Sequence, residues 1–178
     1  MDEVFHFVHF IYKGGDEMVR CNLDRMDLKI LDILQNNSKT SIDSLCEKVF
    51  LSSASVQRRL KKLRESNVIA NEVIVVNPLT VGQTMTFIVS VELVIESSFL
   101  LKQFKNKMLN EARIQQCYYV TGEGDFILIV TAKNMTEFDE LADELFRNDA
   151  NVKRYKTSVA MERTKVSLTI PLELATGS

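Results

Sequence analysis

Leu51-Ser52-Ser53-Ala54-Ser55-Val56-Gln57-Arg58-Arg59-Leu60-Lys61-Lys62-Leu63-Arg64 decides how the front half of this chain folds. Val56, Leu60 and Leu63 fall at i, i+4 and i+7, so they share one face of a helix. Arg58, Lys61 and Lys62 point away from that face. Arg59 and Arg64 flank it, and no acid interrupts the charge before Glu65. Ser52 suits an N-cap, and Ser53, Ala54 and Ser55 keep the first turn slim. A slim helix start followed by guanidinium and ammonium groups suits entry into a DNA major groove. On its own, the stretch fits a solvated amphipathic helix equally well.

The neighbouring segments favour the first reading. Upstream, Leu23 to Gln35 carries an apolar stripe of Leu23, Met26, Ile30, Leu31 and Leu34, with Asp24 placed to cap it. Asn36-Asn37-Ser38 breaks it. Thr40 to Val49 reads as a second short helix with Leu45, Cys46 and Val49 inward, and Phe50-Leu51-Ser52 is a very short connector into the basic helix. Three helices with a tight turn between the last two form the helix-turn-helix plan.

Behind Val68-Ile69-Ala70 the pattern changes. Val73-Ile74-Val75-Val76 is strand-like, and Asn77-Pro78 and Gly82 punctuate the connector. From Met85 the period becomes two, with Phe87, Val89, Val91, Leu93 and Ile95 on one face. A helix is expected over Ser98 to Leu109 and a strand over Ile114 to Val120. The turn Thr121-Gly122-Glu123-Gly124 leads into Asp125 to Ala132, apolar enough to be a central strand. Asn134-x-x-Glu137 has the form of a capping box. It opens a helix with Phe138, Leu141, Leu145 and Phe146 inward. Val152 to Met161 ends the unit. The order βαββαβ predicts a ferredoxin-like sheet with helices on one face, and so an α+β chain. Ile88, Val94 and Tyr118 make the other face too apolar for water, which sheet-to-sheet dimerisation would resolve.

Charge is unevenly spread. The net charge is −2 overall, yet residues 21–70 hold nine Lys/Arg against six Asp/Glu, while 71–178 hold eleven against fourteen. A basic front and an acidic back fit a DNA-binding head on a body with another task. Cys21, Cys46 and Cys117 lack metal-ligand spacing; Cys46 and Cys117 are expected as buried free thiols of a reducing cytoplasm. Both histidines, His6 and His9, lie near the N-terminus, so the body offers none for general-base work or zinc. No Gly-rich phosphate loop is present. Neither a metal, a cofactor nor catalysis is expected.

The order of Leu23-Asp24-x-x-Asp27-x-x-Ile30-Leu31-x-x-Leu34-Gln35, then Leu45-Cys46-Glu47-Lys48-Val49-x-Leu51-Ser52, then Val56-x-Arg58-Arg59-Leu60-Lys61-Lys62-Leu63, then Val68-Ile69 resembles the Lrp/AsnC, or feast/famine, family. So do Val120-Thr121-Gly122-x-x-Asp125-Phe126 and the ending Val166 to Leu172. The resemblance runs from about Asn22 to Leu172. It implies a (winged) helix-turn-helix domain over 21–70, a linker over 71–84, a ferredoxin-like ligand-binding and oligomerisation domain over 85–172, and a tail over 173–178. It implies a transcription regulator that dimerises through the effector domain, often within octamers, and that is cytoplasmic and nucleoid-associated in a prokaryote. An amino-acid effector between dimers near Gly122, Glu123, Gly124 and Asp125 is also implied; from the residues alone, an ordinary glycine turn tied by Asp125 is the favoured reading. The family usually places Gly where this chain has Phe50, a position that often needs positive φ. Asn67 replaces another common Gly, and Ser53 stands where Pro is frequent.

The residues expected at double-stranded DNA are Ser53, Ser55, Gln57, Arg58, Arg59, Lys61 and Lys62. Gln57 and Arg58 can bond bidentately to base edges, Lys61 and Lys62 suit phosphates, and Arg59 has the alternative of pairing within the domain. An amino-acid-sensing module that ignores DNA and a weakly specific architectural DNA protein stay open. RNA binding is disfavoured, because Asp125 to Leu128 lacks the basic, aromatic strand pattern. Residues 1–20 do not fit the family. Their apolar run is too short to span a membrane and lacks a basic lead-in. Lys13-Gly14-Gly15 can be encoded by a purine-rich run of the ribosome-binding type, which makes Met18 a candidate start.

Overall fold

The computed structural model describes residues 23–172; the leader, Cys21 and the tail lie outside the described residues. Two units emerge. Among the described residues, one holds 23–74 together with 167–172, and the other holds Val75–Val166.

The helical unit has three helices: α1 (Arg25–Asn36), α2 (Ile42–Val49) and α3 (Ser53–Glu65). Each starts on a side-chain cap. Asp24 accepts from the N–H groups of Met26 and Asp27, Ser41 from Ser44, and Ser52 from Ser55. These caps satisfy donors that a helix start leaves unpaired. Ile30, Leu45, Val49, Val56, Leu60 and Leu63 form the core, and Val68 and Ile69 pack against it. Both of the latter donate their N–H to the Leu63 carbonyl, which closes the end of α3. Asn67, just before them, takes φ 55°.

Between α2 and α3 the turn keeps the left-handed conformation that a glycine would supply, but with a phenylalanine in it. Phe50 has φ 56° and ψ 45°, and the residue is 88% exposed. A side chain in this region costs roughly 1–2 kcal/mol through the clash of Cβ with the next carbonyl. The turn is not reshaped to avoid that cost, and no packing around the ring offsets it.

The second unit is a four-stranded antiparallel sheet in the order β2-β3-β1-β4, built from β1 (Met85–Leu93), β2 (Ile114–Tyr119), β3 (Phe126–Ala132) and β4 (Val152–Val159). The apolar β3 is central, as its composition predicts. Helix α4 (Ser98–Leu109) and helix α5 (Met135–Ala142), which runs on as a π-turn through Arg147, lie on one face. Phe87, Val89 and Val91 of β1 and Phe126, Leu128 and Val130 of β3 are fully buried beneath them with Phe104, Met108, Phe138, Leu141 and Phe146. Phe87 stacks on Phe138 with ring centroids 3.9 Å apart. The opposite face is left to Ile88, Ser90, Glu92, Tyr118, Arg154, Lys156 and Ser158, and Ile88 and Tyr118 are 43% and 50% exposed.

Several expectations need correcting. Val73–Val76 forms no strand; all four side chains are exposed, and no strand among the described residues pairs with them. Ile95 lies beyond β1 and is exposed, its N–H donating to Asn151 Oδ1. Cys117 is exposed and Cys46 half-buried, because β2 is an edge strand and α2 is short. The capping box at α5 is half made: Asn134 accepts from the Glu137 N–H, but the Glu137 carboxylate takes the Lys133 N–H instead. Apart from these corrections, residues 167–172 group with the helical unit. There the Gln35 amide makes two hydrogen bonds to Ile170, donating to its carbonyl at 2.9 Å and accepting from its N–H at 3.1 Å.

Candidate nucleic-acid interface and effector hairpin

Helix α3 separates its two roles by face. Val56, Leu60 and Leu63 anchor it in the core. Ser53, Gln57, Arg58, Lys61 and Lys62 are exposed, and Ser55 is half-buried. The Gln57 amide donates to Ser53 Oγ at 3.3 Å, and Lys61 lies 3.7 Å from Glu65 one turn on. Arg58 has no ion-pair partner among the described residues. Arg64 pairs with Glu72 at 2.8 Å. The first turn holds no acid, and its side chains up to Ser55 are small. The exposed face thus presents hydrogen-bonding groups near the N-terminus and positive charge along the middle. That distribution matches base edges below flanking phosphates.

Arg59 takes its alternative role. Its guanidinium reaches Asp24 and Asp27 of the α1 start, each at 2.6 Å. Asp27 is 1% exposed, the only buried charged residue among those described. Its other oxygen accepts the Asp24 N–H at 3.1 Å, completing a capping box with Asp24. One guanidinium therefore bolts the recognition helix to the first turn of α1, and fixes the angle at which α3 leaves the core. Hydrogen bonds to Asp27 and then Asp24 raise the Arg59 pKa further above its ordinary value. The Asp27 N–H, and after it Arg59, holds the Asp24 carboxyl below the usual carboxylate range. The Asp24-x-x-Asp27 spacing signals this box in the sequence; the Arg59 partnership carries no sequence signal, since the residues are 32 and 35 apart.

The candidate effector residues form the β2–β3 hairpin. Gly122 has φ 132° and needs to be glycine for that reason. Gly124 is glycine for a different one: a Cβ there would lie 2.5 Å from Ser90 Oγ and 3.3 Å from the Val91 carbonyl oxygen. Asp125 ties the hairpin to β1, its N–H donating to Val91 at 2.8 Å and its carboxylate accepting the Leu93 N–H at 2.6 Å. Glu123 accepts from Lys156 at 2.5 Å and lies 3.9 Å from Arg154. Lys156 holds the Glu123 carboxyl below its ordinary pKa. Glu92 does the same work one register step away, taking Lys153 at 2.6 Å and Arg154. Between them lies an open depression of about 210 Å³ lined by Ile88, Ser90, Glu92, Glu123, Arg154, Lys156 and Ser158. Sequence reading found Glu123 but not Glu92, Arg154 or Lys156, because only strand pairing brings them together. No cluster of metal ligands occurs among the described residues, and no described helix is long and apolar enough to cross a membrane.

Residues 23–70 match the winged helix-turn-helix DNA-binding family, and residues 86–170 match the Lrp/AsnC ligand-binding domain. An uncharacterised HTH-type transcriptional regulator of Sinorhizobium fredii is 41% identical over 152 residues, covering 85% of this chain and 90% of its own. The leucine-responsive regulatory protein of Rhizobium meliloti is 29% identical, covering 83% of this chain and 95% of its own. The crystal structure of an AsnC-family transcriptional regulator from Agrobacterium tumefaciens superposes with a TM-score of 0.80 at 28% identity, covering 86% of this chain and 99% of that one. A transcriptional regulator of Neisseria meningitidis, solved in complex with L-Met, shares the fold with a TM-score of 0.79 at 24% identity, covering 85% and 97%. Both domain models fall in order along this chain, and a 41% identical regulator is covered over nine-tenths of its length: the chain belongs to the Lrp/AsnC family of transcriptional regulators.

Proposed function

We propose that α3 docks in the major groove of a pseudo-palindromic operator, with Gln57 and Arg58 on base edges and Ser53, Ser55, Lys61 and Lys62 on phosphates or the groove rim. The observation that carries this reading is the exposed cationic edge of α3 opposite its buried Val56, Leu60 and Leu63. A homodimer supplies the two heads, and half-site spacing follows from its geometry. The sheet face bearing Ile88 and Tyr118 is the surface through which two copies pair, since its apolar groups lack cover. Dimers assemble further into an even-numbered oligomer such as an octamer, working at the chromosome in the cytoplasm of a prokaryote.

The ligand of the sheet unit is an amino acid or a close metabolite, bound beside Gly122, Glu123, Gly124 and Asp125. Support comes from the L-Met complex of the Neisseria protein of the same fold. Asp125 serves there as a frame, holding the hairpin against β1. The test is recovery of genomic fragments by the full chain, with and without an amino-acid mixture, followed by titration of the recovered duplex. Arg58→Ala weakens specific binding by about 1–3 kcal/mol, and Lys62→Ala lowers the slope of log affinity against log salt by about 1. Unchanged operator binding by Arg58→Ala refutes the docking.

A further inference from the structure

Phe50 combines two features that do nothing for the isolated head. Its backbone sits in the left-handed region at φ 56°, where an L side chain is unfavourable, and the residue is 88% exposed. Glycine would remove the backbone strain and the exposed apolar surface together. Among the described residues, the other non-glycine residue with positive φ is Asn67, whose short polar side chain suits that region. Phe50 also stands two residues before Ser52, the N-cap of α3, so its Cα lies within about 7 Å of the helix start along the chain. Ser52, Ser53 and Ala54 beside it are small, exposed and uncharged. Leu51 beside it packs against the core, so Phe50 is the one bulky exposed group at an otherwise slim end of the recognition helix.

We infer that Phe50 is a DNA-contacting, specificity-determining residue, its ring packing on the apolar surface of the duplex at the rim of the major groove. That surface is offered by thymine 5-methyl groups and by deoxyribose edges, and aromatic contact with the thymine methyl is an established form of base readout. The inference rests on the docking of α3 proposed above. It adds an apolar contact N-terminal to the cationic ones, read by shape rather than by charge.

The test uses the full chain and a duplex selected by it from a random pool. Phe50→Gly relaxes the turn and removes the ring. Phe50→Asn keeps a Cβ and a residue tolerant of left-handed backbone, and removes the ring as well. Both variants are expected to bind the selected duplex about four- to tenfold more weakly, as loss of a buried methyl-sized contact implies. The salt slope stays unchanged, because no phosphate contact is lost. Replacing thymidine by deoxyuridine through the half-sites identifies the surface. If that replacement weakens the wild type and not the variants, the ring lies on a thymine methyl. If it weakens neither, while both variants still bind less well, the ring lies on sugar. Wild-type affinity in both variants overturns the inference, and so does a loss confined to Phe50→Gly, which would report turn flexibility. Arg58→Ala run in parallel separates this from the docking itself: loss with Arg58→Ala and none with the Phe50 variants removes Phe50 alone.

Discussion

Replacing Arg59 by Met tests whether that residue holds the head together or touches DNA. The substitution keeps most of the apolar stem and deletes the guanidinium. Asp27 is then left as a carboxylate whose side chain is 2% exposed, retaining the Asp24 N–H as partner. Removing one member of a buried pair costs about 3–5 kcal/mol. The Arg59 side chain is 21% exposed, so water can enter where the guanidinium was, which lowers the figure to about 2–3 kcal/mol. The second arm, to Asp24 at 54% exposure, adds about 0.2–1 kcal/mol. A loss near 3 kcal/mol raises the opening equilibrium of the helical unit by about 150-fold. Amide hydrogen exchange resolved to peptides of α1, α2 and α3 reads that opening directly, and peptides of the sheet unit serve as the internal control. The double variant Asp27→Asn/Arg59→Met should recover part of the loss, since it removes the stranded charge. Exchange within about threefold of wild type, accompanied by a large fall in operator affinity, would refute the lock and return Arg59 to the DNA interface.

The hairpin and the helix cap yield two more outcomes. Gly124→Ala forces Ser90 Oγ to rotate and presses on the Val91 carbonyl, so the sheet unit should lose about 1–3 kcal/mol; Ser90→Ala in the same chain should restore much of it, measured by thermal unfolding followed through tyrosine fluorescence. Acidification should loosen the α1 start, because the folded Asp24 carboxyl titrates below its ordinary value of 3.8: its contribution is full above that value and disappears as pH falls through the lower folded one. Asp24→Asn keeps a competent N-cap and removes the titration, so hydrogen exchange in α1 should respond less to pH in that variant than in wild type.

Much of this fold was written along single stretches of chain. The 3.6-residue stripe of α3, the period of two in β1 and the apolar run of β3 each declare their element without help from distant residues, because helix and strand periodicities are local. The same holds for Ser52, Ser41 and Asp24, whose caps form within three residues. Val73–Val76 shows the limit of that reasoning. A β-branched run has the propensity for a strand, but a strand also needs a neighbour, and none pairs with it among the described residues.

The sequence by itself determined the three helices of the head, the βαββαβ order of the sheet unit and the cationic edge of α3, since these follow from backbone periodicity and from charge on one face. Only the tertiary structure decided that Arg59 locks onto Asp24 and Asp27, and that Gly124 is demanded by Ser90. It also decided that Glu92, Glu123, Arg154 and Lys156 line one depression, and that Ile170 is held by Gln35. The reason is physical. Ion pairs and close approaches depend on separations of a few ångströms between groups 30 to 135 residues apart, and no local pattern encodes which of many available acids a given guanidinium will meet.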